Sequence, residues 1–259
     1  DFIMLLSACF RRLAPSILAR PIVPRAACAS RARRLCSIQG AHESSPPPSE
    51  HPEFERGLTL VDKERIGEAI DAFAEAAAEG SAGGNFFLAL AYDGLLGENA
   101  EGEPWVDLDA EAAFRCYKRA TEAGHSEAAM NLALCYRNGE GVAQHIGKAI
   151  EAMELSAALG SDRAAFNLGV ALDPLQPPWG TPGEAGPELA MVPKDPTRAA
   201  AFYRQAAEQG HAKAKVNLGI FLYSATVPGT QPDRDAAKEL WEEAMEDGVP
   251  EAEMCLKNM

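Results

Sequence analysis

A chain of 259 residues with 24 Lys+Arg against 38 Asp+Glu carries a formal net charge of -14 at pH 7. That balance excludes a general nucleic-acid binder, which needs a basic surplus to displace counterions from phosphates. No apolar run approaches the ~20 residues that a bilayer-crossing helix needs, so no membrane span is expected, while 47% apolar residues suffice for a buried core. Ala, Glu and Leu dominate over β-branched strand formers, which predicts helices.

The charge is unevenly spread. Residues 2–42 hold seven arginines (Arg11, Arg12, Arg20, Arg25, Arg31, Arg33, Arg34), no lysine and no acid. An Arg-rich, acid-free, Ala/Ser/Leu-containing segment predicts a mitochondrial transit peptide over 1–42 and a matrix location. Met4 is a candidate start, and Arg34-Leu35-Cys36-Ser37 is similar to a matrix-protease cleavage site. The alternatives are a disordered basic tail or a plastid transit peptide. Beyond residue 42 the chain has 17 basic and 37 acidic residues, a net charge of -20, which favours solubility and basic partners. Three of the six cysteines (Cys9, Cys28, Cys36) fall in the leader. The other three (Cys116, Cys135, Cys255) form neither a disulfide framework nor a zinc-spaced set. Residues 43–52 read as a Pro/Ser linker, and the folded body is predicted over 53–259.

A repeat governs that body. Gly80, Gly124, Gly160, Gly210 and Gly248 each close an Ala-rich stretch. Eleven residues before each stands an alanine (Ala69, Ala113, Ala149, Ala199, Ala237). Seven before it stands a large side chain (Phe73, Tyr117, Met153, Tyr203, Trp241), and four before it a small one (Ala76, Ala120, Ser156, Ala206, Ala244). Offsets of 4, 7 and 11 mark one face of an α-helix, which the glycine ends with a left-handed turn. Eight residues after each glycine comes a leucine (Leu88, Leu132, Leu168, Leu218, Leu256), followed in four cases by Ala or Gly. Predicted helices cover 53–62, 65–79, 84–94, 109–123, 126–138, 145–159, 162–172, 197–209, 212–223, 234–247 and 250–258. Two antiparallel helices per unit, stacked unit on unit, make a solenoid.

Asn131-Leu132-Ala133-Leu134-Cys135-Tyr136-Arg137-Asn138-Gly139-Glu140-Gly141-Val142 followed by Lys148-Ala149 resembles the Sel1-like repeat, a relative of the tetratricopeptide repeat. Ala199-Ala200-Ala201-Phe202-Tyr203-Arg204-Gln205-Ala206-Ala207-Glu208-Gln209-Gly210 through Asn217-Leu218-Gly219 does the same. The likeness covers roughly 53–259. The first unit departs from it by lacking the leucine–glycine signature, and the fourth by a long insertion. The resemblance implies an all-α fold, a right-handed α-solenoid of about five antiparallel helix pairs, and an adaptor, scaffold or assembly role without intrinsic catalysis.

Two loops interrupt the pattern. Residues 174–196 are Pro-rich and carry Trp179, and residues 95–108 carry Trp105. Both are expected on one edge of the solenoid, where Trp105 and Trp179 either anchor a partner or fold back over apolar surface. Asn131, Asn167 and Asn217 recur seven residues after the glycine. In this family the helix bearing them lines the concave face, where an amide reads first as a bond tying adjacent units and second as a hydrogen-bonding group for an extended peptide. One residue earlier runs an apolar row (Phe86, Met130, Phe166, Val216, Met254), either a groove for an amphipathic helix or inner packing.

No catalytic motif is present: no GxSxG, Walker loop, HExxH or dinucleotide fingerprint. Gly80-Ser81-Ala82-Gly83-Gly84 reads as a turn. His125 and His211 occupy a helix-start slot held elsewhere by Ser81 and Ser161, ahead of any metal role. Cys116 and Cys135 read as small core residues ahead of a redox pair. No enzyme activity and no cofactor are expected. The predicted function is a mitochondrial interaction scaffold, adaptor or assembly factor. It would bind a protein partner, basic or presenting an amphipathic or extended segment, through Asn131, Asn167, Asn217, Met130, Phe166, Trp105 and Trp179. The alternative is an accessory subunit of a large mitochondrial complex, such as a respiratory-chain assembly or the mitochondrial ribosome.

Overall fold

A computed structural model describes residues 51–99, 102–176 and 192–259. The proposed leader, nearly all of the 43–52 linker and residues 177–191 of the insertion lie outside the described residues. Among the described residues the regular structure is eleven α-helices: α1 (Pro52–Asp62), α2 (Ile66–Ala78), α3 (Ala82–Tyr92), α4 (Ala110–Glu122), α5 (Ser126–Asn138), α6 (Ile146–Ala158), α7 (Asp162–Leu172), α8 (Pro196–Glu208), α9 (Ala212–Ser224), α10 (Arg234–Glu246) and α11 (Pro250–Lys257). The fold is an all-α solenoid of antiparallel helix pairs. The chain divides into two compact units. One contains α1–α6 and ends at Leu159; the other runs from Gly160 and contains α7–α11. Within each unit, helices adjacent in sequence pack on each other, α1 on α2 through α5 on α6, and α7 on α8 through α10 on α11. Nearest-neighbour packing of this kind makes a repeat array stable by addition of local interfaces.

The three offsets read from the sequence define the core. All fifteen residues at 11, 7 and 4 before the repeat glycines are 0% exposed, from Ala69, Phe73 and Ala76 to Ala237, Trp241 and Ala244. The repeat glycines adopt φ between 82° and 95°, the left-handed turn that side chains with a Cβ enter only at a cost. At Gly80 the geometry is a Schellman closure: Gly80 N–H donates to the Ala77 carbonyl at 3.1 Å and Ser81 N–H to the Ala76 carbonyl at 2.9 Å. The same pair of bonds recurs at Gly124, Gly210 and Gly248, satisfying carbonyls that the helix end leaves orphaned.

The next helix starts one residue later. The side chains of Ser81, His125, Ser161 and His211 accept hydrogen bonds from the backbone N–H of Gly84, Ala128, Ala164 and Ala214. Capping by Ser81 places the start of α3 at Ala82 rather than 84, so Gly83 and Gly84 are helical and only Gly80 is turn. Gly84 is where α2 and α3 touch, since a Cβ there would lie 2.8 Å from the Ala77 nitrogen.

Loop length varies, but its closure does not. The N-caps of α4, α6, α8 and α10 are Asp109, His145, Asp195 and Asp233, each fifteen residues before a repeat glycine. Their backbone N–H groups bond the carbonyls of Tyr92, Tyr136, Leu172 and Leu222, at the ends of the preceding helices, at 2.8–3.2 Å. A recurring bond at the stem therefore joins the paired helices whatever emerges beyond it. That is why the insertion after α7 is accommodated without loss of register. Pro52, Pro196 and Pro250 stand at helix starts, where no N–H is required.

Candidate partner-binding surface

The residues singled out by the sequence fall into three groups. Asn167 and Asn217 are 6% and 2% exposed. The Asn217 side chain hydrogen-bonds the Tyr203 hydroxyl across α8 and α9. In the first repeat the corresponding work is done by Asn85, whose amide donates to the carbonyls of Ser81 at 2.8 Å and Ala77 at 3.3 Å, tying α3 to the end of α2. Met130 and Phe166 are 2% and 3% exposed. The Phe166 ring stacks on the His211 imidazole at 4.3 Å, as Phe86 stacks on His125 at 4.3 Å. Phe86 and Phe166 thus pack against the cap of the next repeat; Phe86, Met130, Phe166 and Val216 are buried, while Met254 keeps partial exposure. Asn131 keeps partial exposure on α5. Trp105 is half-buried and lies over the first turn of α2, its ring 3.6 Å from where a Gly67 Cβ would stand. Trp179 lies outside the described residues.

Sequence reading missed the most polar part of the interior. Tyr117 and Tyr203 each donate from the hydroxyl to a carboxylate at the end of the preceding helix, Asp93 at 2.8 Å and Asp173 at 2.9 Å. The signal was available: Asp93 and Asp173 both stand thirteen residues after a repeat glycine, opposite the two tyrosines among the five large core residues. The slot holds Arg137 and Tyr223 where Met153 and Trp241 replace tyrosine.

Asp173 is 0% exposed and accepts from the Leu175 N–H at 2.7 Å. Burial pushes its carboxyl up to about 6, against the pull of the Leu175 N–H, the Tyr203 hydroxyl, the Lys194 ammonium and the Gln176 side chain. Lys194 is in turn lowered by burial, and its ammonium donates to the Ala171 carbonyl at 3.1 Å. Tyr203 is raised well above its ordinary value by burial and by Asp173, and stays a donor.

A folded-state pKa above the unfolded one means that the native state binds more protons between pH ~4 and ~6. The Asp173 contribution to stability therefore falls as pH rises through that window and stays low above it. Asp173→Asn is expected to raise stability at pH 8 by on the order of 2 kcal/mol, less than the full linkage because Lys194 loses its counter-charge. The gain should vanish near pH 4 in urea titrations. A gain of equal size at both pH values would exclude this origin.

His125 and His211 act as helix caps. Burial lowers His125 to about 4. It also lowers His211, where Asp162 opposes the shift. Cys116 and Cys135 are buried free thiols, and burial raises Cys116. Among the described residues, no group of three or more His, Cys, Asp or Glu gathers as a metal site, and no helix is long and apolar enough to cross a membrane.

The Sel1 repeat matches residues 86–125, 126–161, 186–211 and 212–249, more than half of the chain. None of the curated proteins compared with the chain matches it. Among solved structures, it is similar to c5321, a protective antigen of uropathogenic Escherichia coli displaying an SLR fold. Identity is 22% and the TM-score 0.59, over 87% of this chain but only 43% of that protein's length. It is also similar to a Sel1 repeat protein from Oxalobacter formigenes, at 23% identity and a TM-score of 0.57, over 85% of this chain and 82% of the other. At these identities the likeness is one of fold.

Proposed function

This chain belongs to the Sel1 repeat family, and we propose that it is a non-catalytic adaptor or assembly factor of the mitochondrial matrix that holds a basic protein partner. Sel1 repeat proteins generally mediate protein–protein interaction, and their fold is a non-catalytic scaffold. The observation that carries the reading is how the interior polar groups are used. His125 and His211 cap helices, Asp93 and Asp173 latch tyrosines, and Asn85 and Asn217 join neighbouring helices. The groups that could do chemistry thus build the scaffold, and an acidic surface is left to face a partner. The matrix setting is supported by the seven arginines and the absence of acids across residues 2–42. Asn131 and Trp105 keep accessible surface and are the proposed contact residues. Asn167, Asn217, Met130 and Phe166 would support binding by holding their helices in place.

Native-gel profiling of purified mitochondria, with the chain followed by mass spectrometry, tests the reading. Migration near its own mass, with minor amounts spread through larger assemblies, is expected. Co-migration with one large complex at constant ratio would make it an accessory subunit. Absence from mitochondria would overturn the location.

A further inference from the structure

The most exposed large hydrophobic side chain among the described residues is Leu108, at 63%. It stands one position before the Asp109 cap. That slot holds Gln144, Lys194 and Pro232 before the caps of α6, α8 and α10, so the repeat itself does not require an apolar residue there. Leu108 forms the lip of an open groove of about 610 Å³ within the α1–α6 unit. One wall is the lead-in and first turn of α4, with Asp109 and Glu111. The other is the turn after α5, with Gly141, Val142 and Ala143. Both walls are held by glycines. A Cβ on Gly141 would lie 2.0 Å from the Ala110 carbonyl oxygen, so the two walls meet backbone to backbone. A Cβ on Gly94 would lie 2.9 Å from Leu108 Cδ2, so the leucine rests on bare backbone.

The charge at this groove has one sign. Asp109 and Glu111 line it, the exposed Asp107 adjoins Leu108 in sequence, and among the described residues no lysine or arginine lines it. Arg115, exposed on α4, lies 3.6 Å from Glu111. An apolar contact with carboxylates along one wall disfavours acidic segments and rewards a side chain of the leucine type flanked by positive charge.

We propose that this groove is the docking site for a basic segment of a partner protein, with an apolar residue seated against Leu108 and Val142 and flanking arginines or lysines on Asp107, Asp109 and Glu111. The inference rests on the interaction reading above and specifies the partner's chemistry. Residues 43–259, at a net -20, add long-range attraction to such a segment, so association should weaken as salt rises.

The probe is a short fluorescein-labelled peptide with two leucines between pairs of arginines, titrated into the full chain by anisotropy. Its twin carries glutamates in place of the arginines. Saturable binding of the arginine peptide alone is expected, weakened about tenfold by Leu108→Ser and by Asp107→Lys with Glu111→Lys. Leu155→Ser, at a leucine 44% exposed elsewhere, is expected to leave binding unchanged. Circular dichroism confirms that each variant is folded. Equal binding of both peptides, no binding, or unchanged affinity in the groove variants would overturn the proposal.

A photoreactive side chain at position 108 that cross-links to Arg11-Arg12-Leu13 or Arg33-Arg34-Leu35 of the same chain would make the leader the occupant, and would also overturn it. If Leu108→Ser leaves the assemblies seen on native gels intact, the groove inference fails while the scaffold reading stands. If no assembly forms with the unaltered chain, the scaffold reading itself fails.

Discussion

Trp241→Ala is expected to lower the unfolding free energy by about 4 kcal/mol. The indole is 0% exposed and sits in a cluster with Val216, Ile220, Ala237, Ala244, Val249, Ala252 and Cys255. It is the largest side chain at the core offset and packs among residues of α9, α10 and α11. Its Nε1–H donates to the Val216 carbonyl at 3.1 Å, so truncation removes a hydrogen bond as well as contact area. The fit is close because position 219 is glycine: a Cβ there would lie 2.5 Å from Trp241 Nε1 and 2.9 Å from Cδ1. Gly219→Ala should therefore cost about 1–2 kcal/mol, overpacking outweighing the ~1 kcal/mol gain in helix propensity.

The paired slots of another repeat hold Ala89 and Tyr117, which supplies a rescue. Gly219→Ala combined with Trp241→Tyr should cost less than the sum of the two single changes. Urea titrations followed by circular dichroism read these differences. Because packing is between neighbours, hydrogen exchange should rise most in α9–α11. A loss below about 1 kcal/mol for Trp241→Ala, or strict additivity in the double variant, would mean that the indole–glycine fit does not hold this end of the chain.

The repeat was legible because its core positions recur at fixed distances from a glycine. Ala69, Phe73 and Ala76 can be read from Gly80 in the same way as Ala237, Trp241 and Ala244 from Gly248, and the helix ends followed to within about two residues. The role of the polar residues was less legible because it depends on what lies across the interface. Asn167 and Asn217 share an offset with Asn131, but the first two are buried and Asn131 is not. Periodicity assigns all three to one helix face and cannot say how deep each lies. The Asp93–Tyr117 and Asp173–Tyr203 bonds join residues 24 and 30 apart, a separation set by loop lengths that vary from repeat to repeat. The groove at Leu108 was invisible for a different reason. It is made by Gly94 and Gly141 in two loops that fall outside the helical pattern, and only their closeness in space marks them.

Acid should destabilise the α1–α6 unit through the His125 imidazole. His125 caps α5 through an acceptor nitrogen, Nδ1, 3.2 Å from the Ala128 N–H. A protonated imidazole has no lone pair to offer there. The ring is also stacked on Phe86 in surroundings that strip water from the charged form, which is why its pKa drops from 6.5 to about 4. The sign follows from the proton count. Between pH ~4 and ~6.5 the unfolded chain binds the proton and the native state does not, so stability is complete above pH ~6.5 and is lost as pH falls toward ~4. The expected loss is on the order of 3 kcal/mol.

Asparagine caps a helix as well as histidine does and does not titrate. His125→Asn should fall below the unaltered chain near pH 7.5 by the lost stack on Phe86, and should lose less stability between pH 7.5 and pH 4.5. Asp173 carries the opposite slope over part of the same range, so the comparison is made in an Asp173→Asn background. His211→Asn should relieve less of the acid loss, since burial lowers the His211 ring while the neighbouring Asp162 favours its charged form. Urea midpoints at the two pH values settle it. If His125→Asn follows the unaltered chain down in acid, the cap is not the acid-sensitive group. If His211→Asn has the larger effect, burial is not what sets the order.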